Sequence, residues 1–466
     1  MTYTRLMADY AADLKYDDLP LEVVEQVKLL TLQTLGVALA SYPTRQAQRA
    51  ITMTKAQGGK AESTIIGDGT KVPRTEAAFV NATLADILHW EDCGWTGHPS
   101  AGAVPAALAV GEATGATGKD YITSIVAGYE VYQRIAMSVQ PSPEYIVKVK
   151  SWGLVSWQIY VAVIPAAKLL KLSSKGIEQA LGVAIYQANI PMNQHANPPV
   201  GKSDVYHYAH GFNARNGVGS ALIAQSGIDG MYGSLDGDGG YWAQVSDQVD
   251  WSWYEKGLGK DYLIMETSFK HWPGGMWLQQ PLDALDALVR ENNIKAEDIA
   301  EISINPPTSN AMGYSPDGYV GPLDAQFSAP FCMASYLIDP NPGAAWFTED
   351  KLKDPKVLEL AGKVKGVGQV TTPYKNFVEF WAGSFPEIVV TVSLNDGREF
   401  SRTIRFPKGH PRNRMSLDEF KDRFRLQASV RLEPDRVEKA IDIILNLENV
   451  TDMSEVGELL HNTPTT

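Results

Sequence analysis

Along the first half of the chain apolar residues recur roughly every three to four positions, the spacing of helices that bury one face or more. Leu21–Ser41 carries Val24, Val27, Leu30, Leu35 and Val37 among charged positions, behind a proline, Pro20, placed as prolines are at helix N-termini. The same period predicts helices over 75–88, from 104 onward with Pro105 near the first turn, and over 119–137, 153–172, 174–190 and 211–226. Several of these stretches are apolar nearly all round, as helices buried on most sides are. Only 63–67 reads as a short strand.

After about residue 267 the texture changes. Segments 299–305 and 387–394 alternate like strands, and Asn395-Asp396-Gly397 followed by 400–405 is a strong hairpin signal. Helical stretches at 276–291, 325–338 and 349–364 lie between them, which makes this part a smaller α/β unit. From Ser416 the chain returns to helix, with Ser416 and Glu419 spaced as a capping box and a second amphipathic run at 436–447.

A length of 466 residues exceeds one ordinary core and predicts two domains, and 44% hydrophobic residues is ordinary for a globular enzyme. The formal net charge of -13 argues against nucleic acid and anionic membrane surfaces as partners. Two cysteines, Cys93 and Cys332, suit a reducing compartment better than a disulfide framework. The first residues lack the apolar core of a signal peptide, and apolar runs are expected to break before membrane-spanning length. A cytoplasmic protein is therefore expected. The glycine-rich 232–240 has no following Lys-Ser/Thr, and its aspartates would repel phosphate, so it reads as a turn.

The chemistry concentrates in Leu88-His89-Trp90-Glu91-Asp92-Cys93-Gly94-Trp95-Thr96-Gly97-His98-Pro99-Ser100, which sets two carboxylates and two imidazoles between two helices. A loop aimed by rigid ends is a usual place for proton-transfer side chains. The acidic pair, His-Pro-Ser and the following Pro105-Ala106-Ala107-Leu108-Ala109 resemble the MmgE/PrpD family, whose members include 2-methylcitrate dehydratases, cis-aconitate decarboxylases and an iminodisuccinate epimerase. The likeness continues in family order through 168–173, 210–217, Ser268-Phe269-Lys270-His271-Trp272-Pro273, 326–331 and 407–413. The resemblance implies a mainly α fold with an inserted α/β lid. Its large all-helical domain would be built from 1–266 and 406–466, and 267–405 would form the smaller α+β domain. It further implies a homodimer and catalysis without metal or other cofactor.

Residue by residue, the resemblance carries over His98 and Lys270, and Glu91 and Asp92 match the acidic pair. His98 is the natural proton carrier, since imidazole titrates near neutrality. Asp92 or Glu91 would orient it or act as base, and Lys270 would hold a substrate carboxylate or a developing enolate. Elsewhere the chain departs from the family: His89 replaces an aspartate, Cys93 a threonine, Trp152 a histidine, Tyr206 a lysine, Gly275 a histidine and Phe331 a tyrosine. At the position of Tyr206, His207 and Lys202 are the alternative occupants of the same space, and Tyr206 itself is a candidate proton donor. His89, Cys93, Trp152, Lys202, His207, His271 and Phe331 are the expected substrate-binding set. Because cations give way to aromatic and small residues, a small carboxylic acid less anionic than citrate-type acids is the expected substrate. Convergence of Lys148, Lys150 and Lys202 on the site would oppose that.

His89, Glu91, Asp92, His98, His207 and His210 are ligand types without zinc-specific spacing, so no metal is expected. The resemblance thus implies a lyase, a dehydratase or decarboxylase that abstracts a proton next to a carboxylate or carbonyl. An isomerase or epimerase using the same carbanion, or an inactive relative kept for binding, is the alternative.

Overall fold

The structure is a computed structural model that describes residues 2–94, 97–140, 142, 144–145, 158–188, 203–237, 239–371 and 386–462. It is mainly helical, with a smaller α/β region. The first half supplies α1 (Tyr3–Asp13), α2 (Leu21–Ser41), α3 (Arg45–Gln57), α4 (Arg74–Asp86), α5 (Pro99–Thr114), α6 (Gly118–Ser138), α7 (Gln158–Leu169), α8 (Ser174–Gln187) and α9 (Ala209–Gln225). Strands β1 (Ser63–Thr64) and β2 (Lys71–Val72) form a short antiparallel ribbon among them. Helices α4, α5, α7 and α9 pack on one another as the centre of the core. Alanine and glycine on α5 permit this: a Cβ at Gly102 would stand 2.7 Å from a methyl of Val161 on α7.

Two expectations change here. Helix α5 starts at Pro99, so Pro105 lies inside it rather than in its first turn. Its N-terminus is capped from a distance, because Asp92 Oδ1 accepts from the amide and hydroxyl of Ser100 at 3.1 and 2.7 Å. The second concerns α2, which by length and composition is apolar enough to cross a bilayer, yet 89% of its most apolar window is buried inside the protein. It packs on α4, α5 and α6 as a core helix. The glycine-rich segment is a turn whose Asp236 accepts from the amides of Tyr3 and Thr4, at 2.5 and 3.0 Å, and so caps α1.

The α/β region contains α10 (Gln279–Asn292), β5 (Ile299–Asn305), α11 (Pro322–Gln326), α12 (Ala329–Ile338), α13 (Pro355–Gly362), β6 (Val364–Gly366), β7 (Ile388–Leu394) and β8 (Glu399–Ile404). Its sheet has the order β6-β5-β7-β8, with β5 and β6 parallel and the other pairs antiparallel. Ile388, Val390, Val392 and Leu394 of β7 face inward in strict alternation, and α10 covers β7 and β8. The β7–β8 hairpin turns at Asn395-Asp396-Gly397, with Gly397 at φ 89°. The expected helix 349–364 is shorter: Lys351–Lys353 is a 3-10 turn, Pro355 restarts the helix, and Val364 begins β6. The expected helix 325–338 is cut at Phe327-Ser328, where Ser328 accepts from the Phe331 amide and caps α12.

Helices α14 (Leu417–Ala428), α15 (Pro434–Leu445) and α16 (Ser454–Leu459) close the chain. The capping box of Ser416 and Glu419 opens α14. Helices α14 and α15 pack on α2, and α16 packs on α5.

The two halves of the chain meet in an antiparallel pair, β3 (Asp92–Cys93) with β4 (Ser268–Phe269), in the register Asp92 to Phe269 and Cys93 to Ser268. The pairing runs on past β4, since Lys270 N donates to Glu91 O at 3.0 Å and Gly274 N to Leu88 O at 3.0 Å. A clamp holds it from behind. Gln33 of α2 donates to the carbonyls of Trp90 and Lys270, and Arg423 of α14 donates to Lys270 O at 2.7 Å and to Gln33 Oε1 at 3.1 Å. Arg423→Ala should leave these buried acceptors short of a charged donor and destabilise the protein by roughly 2–4 kcal/mol. Urea unfolding would show it as a lower midpoint at unchanged slope, and an unchanged midpoint would contradict the clamp.

Candidate active site

Helix α4 ends at Asp86, and the chain then turns sharply through His89, which takes the left-handed conformation at φ 48°. Few non-glycine residues adopt it, and it costs energy that the surroundings must hold. The turn buries the His89 ring against Tyr206, His207 and Phe327, at centroid distances of 5.5, 5.6 and 5.3 Å.

Two residues on, the backbone pairing with Lys270 brings Glu91 and Lys270 side by side, and both are buried. Glu91 Oε1 lies 2.6 Å from Lys270 Nζ and 2.9 Å from His98 Nδ1. Lys270 Nζ donates also to His89 O at 3.0 Å, and His98 Nδ1 stands 2.8 Å from Asp92 O. With a carboxylate and a carbonyl both facing it, Nδ1 of His98 carries the hydrogen, and Nε2 is the atom left to accept or deliver a proton. His98 retains 17% side-chain exposure, against 1% or less for its two partners. It is the end of the chain that reaches outward.

Asp92 has a different duty. Its Oδ1 caps α5 through Ser100, and its Oδ2 accepts from the Tyr129 hydroxyl at 2.7 Å. Burial pushes its carboxyl up, partly offset by those hydrogen bonds. Only its carbonyl touches His98.

A second carboxylate and imidazole pair stands beside the first. Asp86 Oδ2 lies 3.0 Å from Nδ1 of His210, at the start of α9, and the His210 ring is 5.8 Å from that of His98. Asp86 Oδ1 is 3.5 Å from His89 Nδ1. On the other side Gln326 donates to Ile87 O at 2.8 Å, which leaves its oxygen to accept from His207 Nε2 at 3.0 Å. The break between α11 and α12 puts Gln326 and Phe327 there.

The charges follow from this packing. Burial pushes the Glu91 carboxyl up, but Lys270 and His98 outweigh it and hold it at about 2. Burial likewise opposes ionisation of Asp86, and His210 and His89 override it, keeping the carboxyl well below its ordinary value. For His210 burial pushes down and Asp86 wins, so its value is raised. His89 goes the other way: burial takes it down to about 3, and it is neutral at neutral pH. Burial, then Asp86 and Glu91, raise Tyr206, which stays a protonated phenol. Asp86, His89 and Glu91 bring ligand-type atoms within 4.8 Å of one another, but both carboxylates already face protein cations.

Of the residues expected from sequence, the structure gathers His98, Glu91, Lys270, His89, Tyr206 and His207 in one cluster, with the Asp92 backbone at its edge. Lys270 is found beneath Glu91, with Glu91 Oε1 and His89 O on its ammonium. Phe331 is elsewhere, fully buried between Tyr319 and Phe347 in the α/β region. His271 pairs with Asp283 at 2.8 Å and lies against Trp272. Cys93 is buried, its thiol pushed up to about 12 by burial and its Sγ turned to Gly94 O. Trp152, Lys202, Lys148 and Lys150 lie outside the described residues. A Cβ at Gly275 would stand 3.3 Å from the Phe327 ring, so Phe327 fills the room beside that glycine. Sequence reasoning gave no role to Asp86, Gln326 or Phe327 and saw His210 only as a ligand type. For Asp86 a signal existed: it is the single charge in the apolar stretch 77–88.

Family models for the MmgE/PrpD N-terminal and C-terminal domains match residues 5–254 and 272–449. The second match runs on into α14 and α15, the helices that pack on α2. A cis-aconitate decarboxylase of Aspergillus terreus is 24% identical, over 98% of this chain and 96% of its own length. Those of Homo sapiens and Mus musculus are 27% and 24% identical, over 96% and 98% of this chain and 92% and 93% of their own.

Neutral His89 sets a pH dependence of stability. Between its unfolded value near 6.5 and its folded value of about 3, the unfolded chain binds a proton that the native state refuses. Its contribution is therefore full above about pH 6.5 and is lost as pH falls, by roughly 3 kcal/mol at pH 4. Glu91 and Asp86, both lowered, add loss below about 4.5, whereas raised His210 contributes stability that fades only as pH climbs above 6.5. Thermal melts of His89→Asn, which tolerates the same backbone and cannot titrate, should show a shallower fall from pH 7 to pH 4 than the native sequence. Parallel curves would refute it.

Proposed function

The chain belongs to the MmgE/PrpD family, and from that premise we propose that it is a cofactor-independent lyase acting on a small carboxylic acid, with decarboxylation favoured because the similar proteins are cis-aconitate decarboxylases. The observation that carries this reading is the chain from Lys270 through Glu91 to His98, which ends in a partly exposed imidazole whose Nδ1 is held by Glu91. Lys270 keeps Glu91 ionised in a buried place where a lone carboxylate would take up a proton. The ionised Glu91 fixes the tautomer of His98 and offsets its charge when the ring takes a second proton.

Loss of carbon dioxide then balances as follows. The bond from substrate carbon to the leaving carboxylate breaks, its electron pair stays with the substrate, and Nε2–H of His98 supplies the proton that replaces it. Loss of water uses the same atom as a base, taking a proton beside the retained carboxylate while hydroxide departs with a proton from a donor such as the Tyr206 phenol. Among the described residues of the cluster, Lys270 and His210 are each already paired with a protein carboxylate. Tyr206 and Phe327 add aromatic surface. Both features favour a substrate with fewer charges than citrate-type acids. A role restricted to binding gives no reason to keep a buried, costly ionic chain that ends in a partly exposed imidazole.

A screen of unsaturated and hydroxy mono-, di- and tricarboxylic acids, cis-aconitate among them, read by mass, tests this. Loss of carbon dioxide or water from a mono- or diacid is expected, and no mass change in any acid would overturn it. On the acid so found, His98→Asn should lower kcat by about a hundredfold or more with folding intact. Lys270→Ala should lower kcat rather than raise KM, since its contacts are with Glu91 and His89.

A further inference from the structure

Three successive carbonyls of the turn that carries His89 are held from the second half of the chain. Gln326 Nε2 donates to Ile87 O at 2.8 Å, and Gly274 N lies 3.0 Å from Leu88 O and 3.2 Å from His89 O. Gly274 is itself kept in place by Gln326, whose backbone carbonyl accepts from the next amide, Gly275 N, at 2.9 Å. The fit there is close: Gly274 takes φ 116°, and a Cβ on it would stand 2.6 Å from Gln326 O. A single buried residue thus grips the turn twice, through its side-chain amide and through its carbonyl. What it grips is strained, since His89 keeps φ 48° only while its surroundings over-determine it. The same side chain also decides where His207 carries its hydrogen. A backbone carbonyl can only accept, so the amide nitrogen of Gln326 faces Ile87 and its oxygen faces His207 Nε2, 3.0 Å away. That oxygen in turn can only accept, which puts the hydrogen of the neutral ring on Nε2. On Nδ1 it would be a buried N–H without a hydrogen-bond partner among the described residues, and two acceptors would face each other across 3.0 Å.

We propose that Gln326 is a positioning residue of the cluster, which keeps the 86–91 turn in its strained course and locks His207 as the Nε2–H tautomer with Nδ1 bare. Its part in catalysis rests on the lyase reading above; the tautomer does not. Being buried, Gln326 acts through its neighbours. Its hold on Ile87 O keeps His89 in place, and His89 O is one of the two acceptors on the Lys270 ammonium, at 3.0 Å, the other being Glu91. A turn set free at Ile87 therefore slackens Lys270, then Glu91, and with Glu91 the hold on His98 Nδ1. Gln326 closes α11 at the break before α12, and a helix carried on through that break would not leave its amide at the end of a helix to meet the first half of the chain.

Ring-nitrogen NMR of protein labelled at histidine tests the lock without turnover, at about pH 8 where an ordinary imidazole is neutral. Native His207 should show a protonated Nε2 and a bare Nδ1. Gln326→Met, of similar length but with neither polar group, should lose that single state. A hydrogen on Nδ1 in the native protein, or the same tautomer in native and Gln326→Met, would overturn the lock. On the acid identified by the screen, Gln326→Met should lower kcat by about tenfold or more and change KM by less than about threefold, as a residue does that aligns reacting groups without binding substrate. An unchanged kcat in folded Gln326→Met would reduce Gln326 to packing and overturn the positioning role. If Gln326→Met does not fold, Gln326→Asn takes its place in both comparisons, because the same amide one methylene shorter cannot span Ile87 O and His207 Nε2 together. If no acid is turned over it is the lyase reading that fails, and the tautomer of His207 still decides whether Gln326 sets it.

Discussion

The contact on which the cluster depends is the buried ion pair of Lys270 and Glu91, 2.6 Å apart. Two ions taken out of water cost several kcal/mol each unless geometry and further hydrogen bonds compensate. Here they do: the ammonium also holds His89 O, and the carboxylate also faces the His98 ring. The backbones beneath them are hydrogen-bonded to each other, so neither side chain has to search for its partner. Remove either charge and the other is stranded, and with it the tautomer of His98. The pair thus fixes the geometry of the cluster around it.

How much of this could be read from the chain depends on the range of the interaction involved. Helices with long apolar periods, the Asn395-Asp396-Gly397 turn and the capping box at Ser416 are local, and pattern reading located them. The start of α5 is not local, because its cap comes from a carboxylate on a strand whose own partner lies in the other half of the chain. The break at Phe327-Ser328 was hidden for a related reason: residues 325–338 have a helical period throughout, but Gln326 is needed by Ile87 and His207 in the first half. Strand β6 was absorbed into a helical reading because three residues carry too little pattern to compete, and β5 decides their fate.

The site was legible as a list of residues and not as a set of relations. Glu91, His98 and Lys270 were named from their setting and from resemblance, but the assignment of Lys270 to a substrate carboxylate did not anticipate that Glu91 would occupy it. Asp86 and His210 belong to two helices whose packing no spacing rule predicts. The replacement of a family histidine by Gly275 and of a tyrosine by Phe331 looked like a change in one pocket. In the structure the two positions part: Phe327 takes the room beside Gly275, while Phe331 belongs to the core of the α/β region.

The clamp on the Lys270 carbonyl has a consequence in time as well as space. Its donors come from Gln33 and from Arg423, the latter 153 residues further along the chain. A ribosome delivers Glu91 and His98 before Lys270 and Lys270 before Arg423, so a nascent chain carries every titrating member of the cluster before the clamp that holds them is made. Until α14 emerges and docks on α2, the Lys270 carbonyl lacks its charged donor. The arrangement of Glu91, His98 and Lys270 is therefore completed only after α14 has been made.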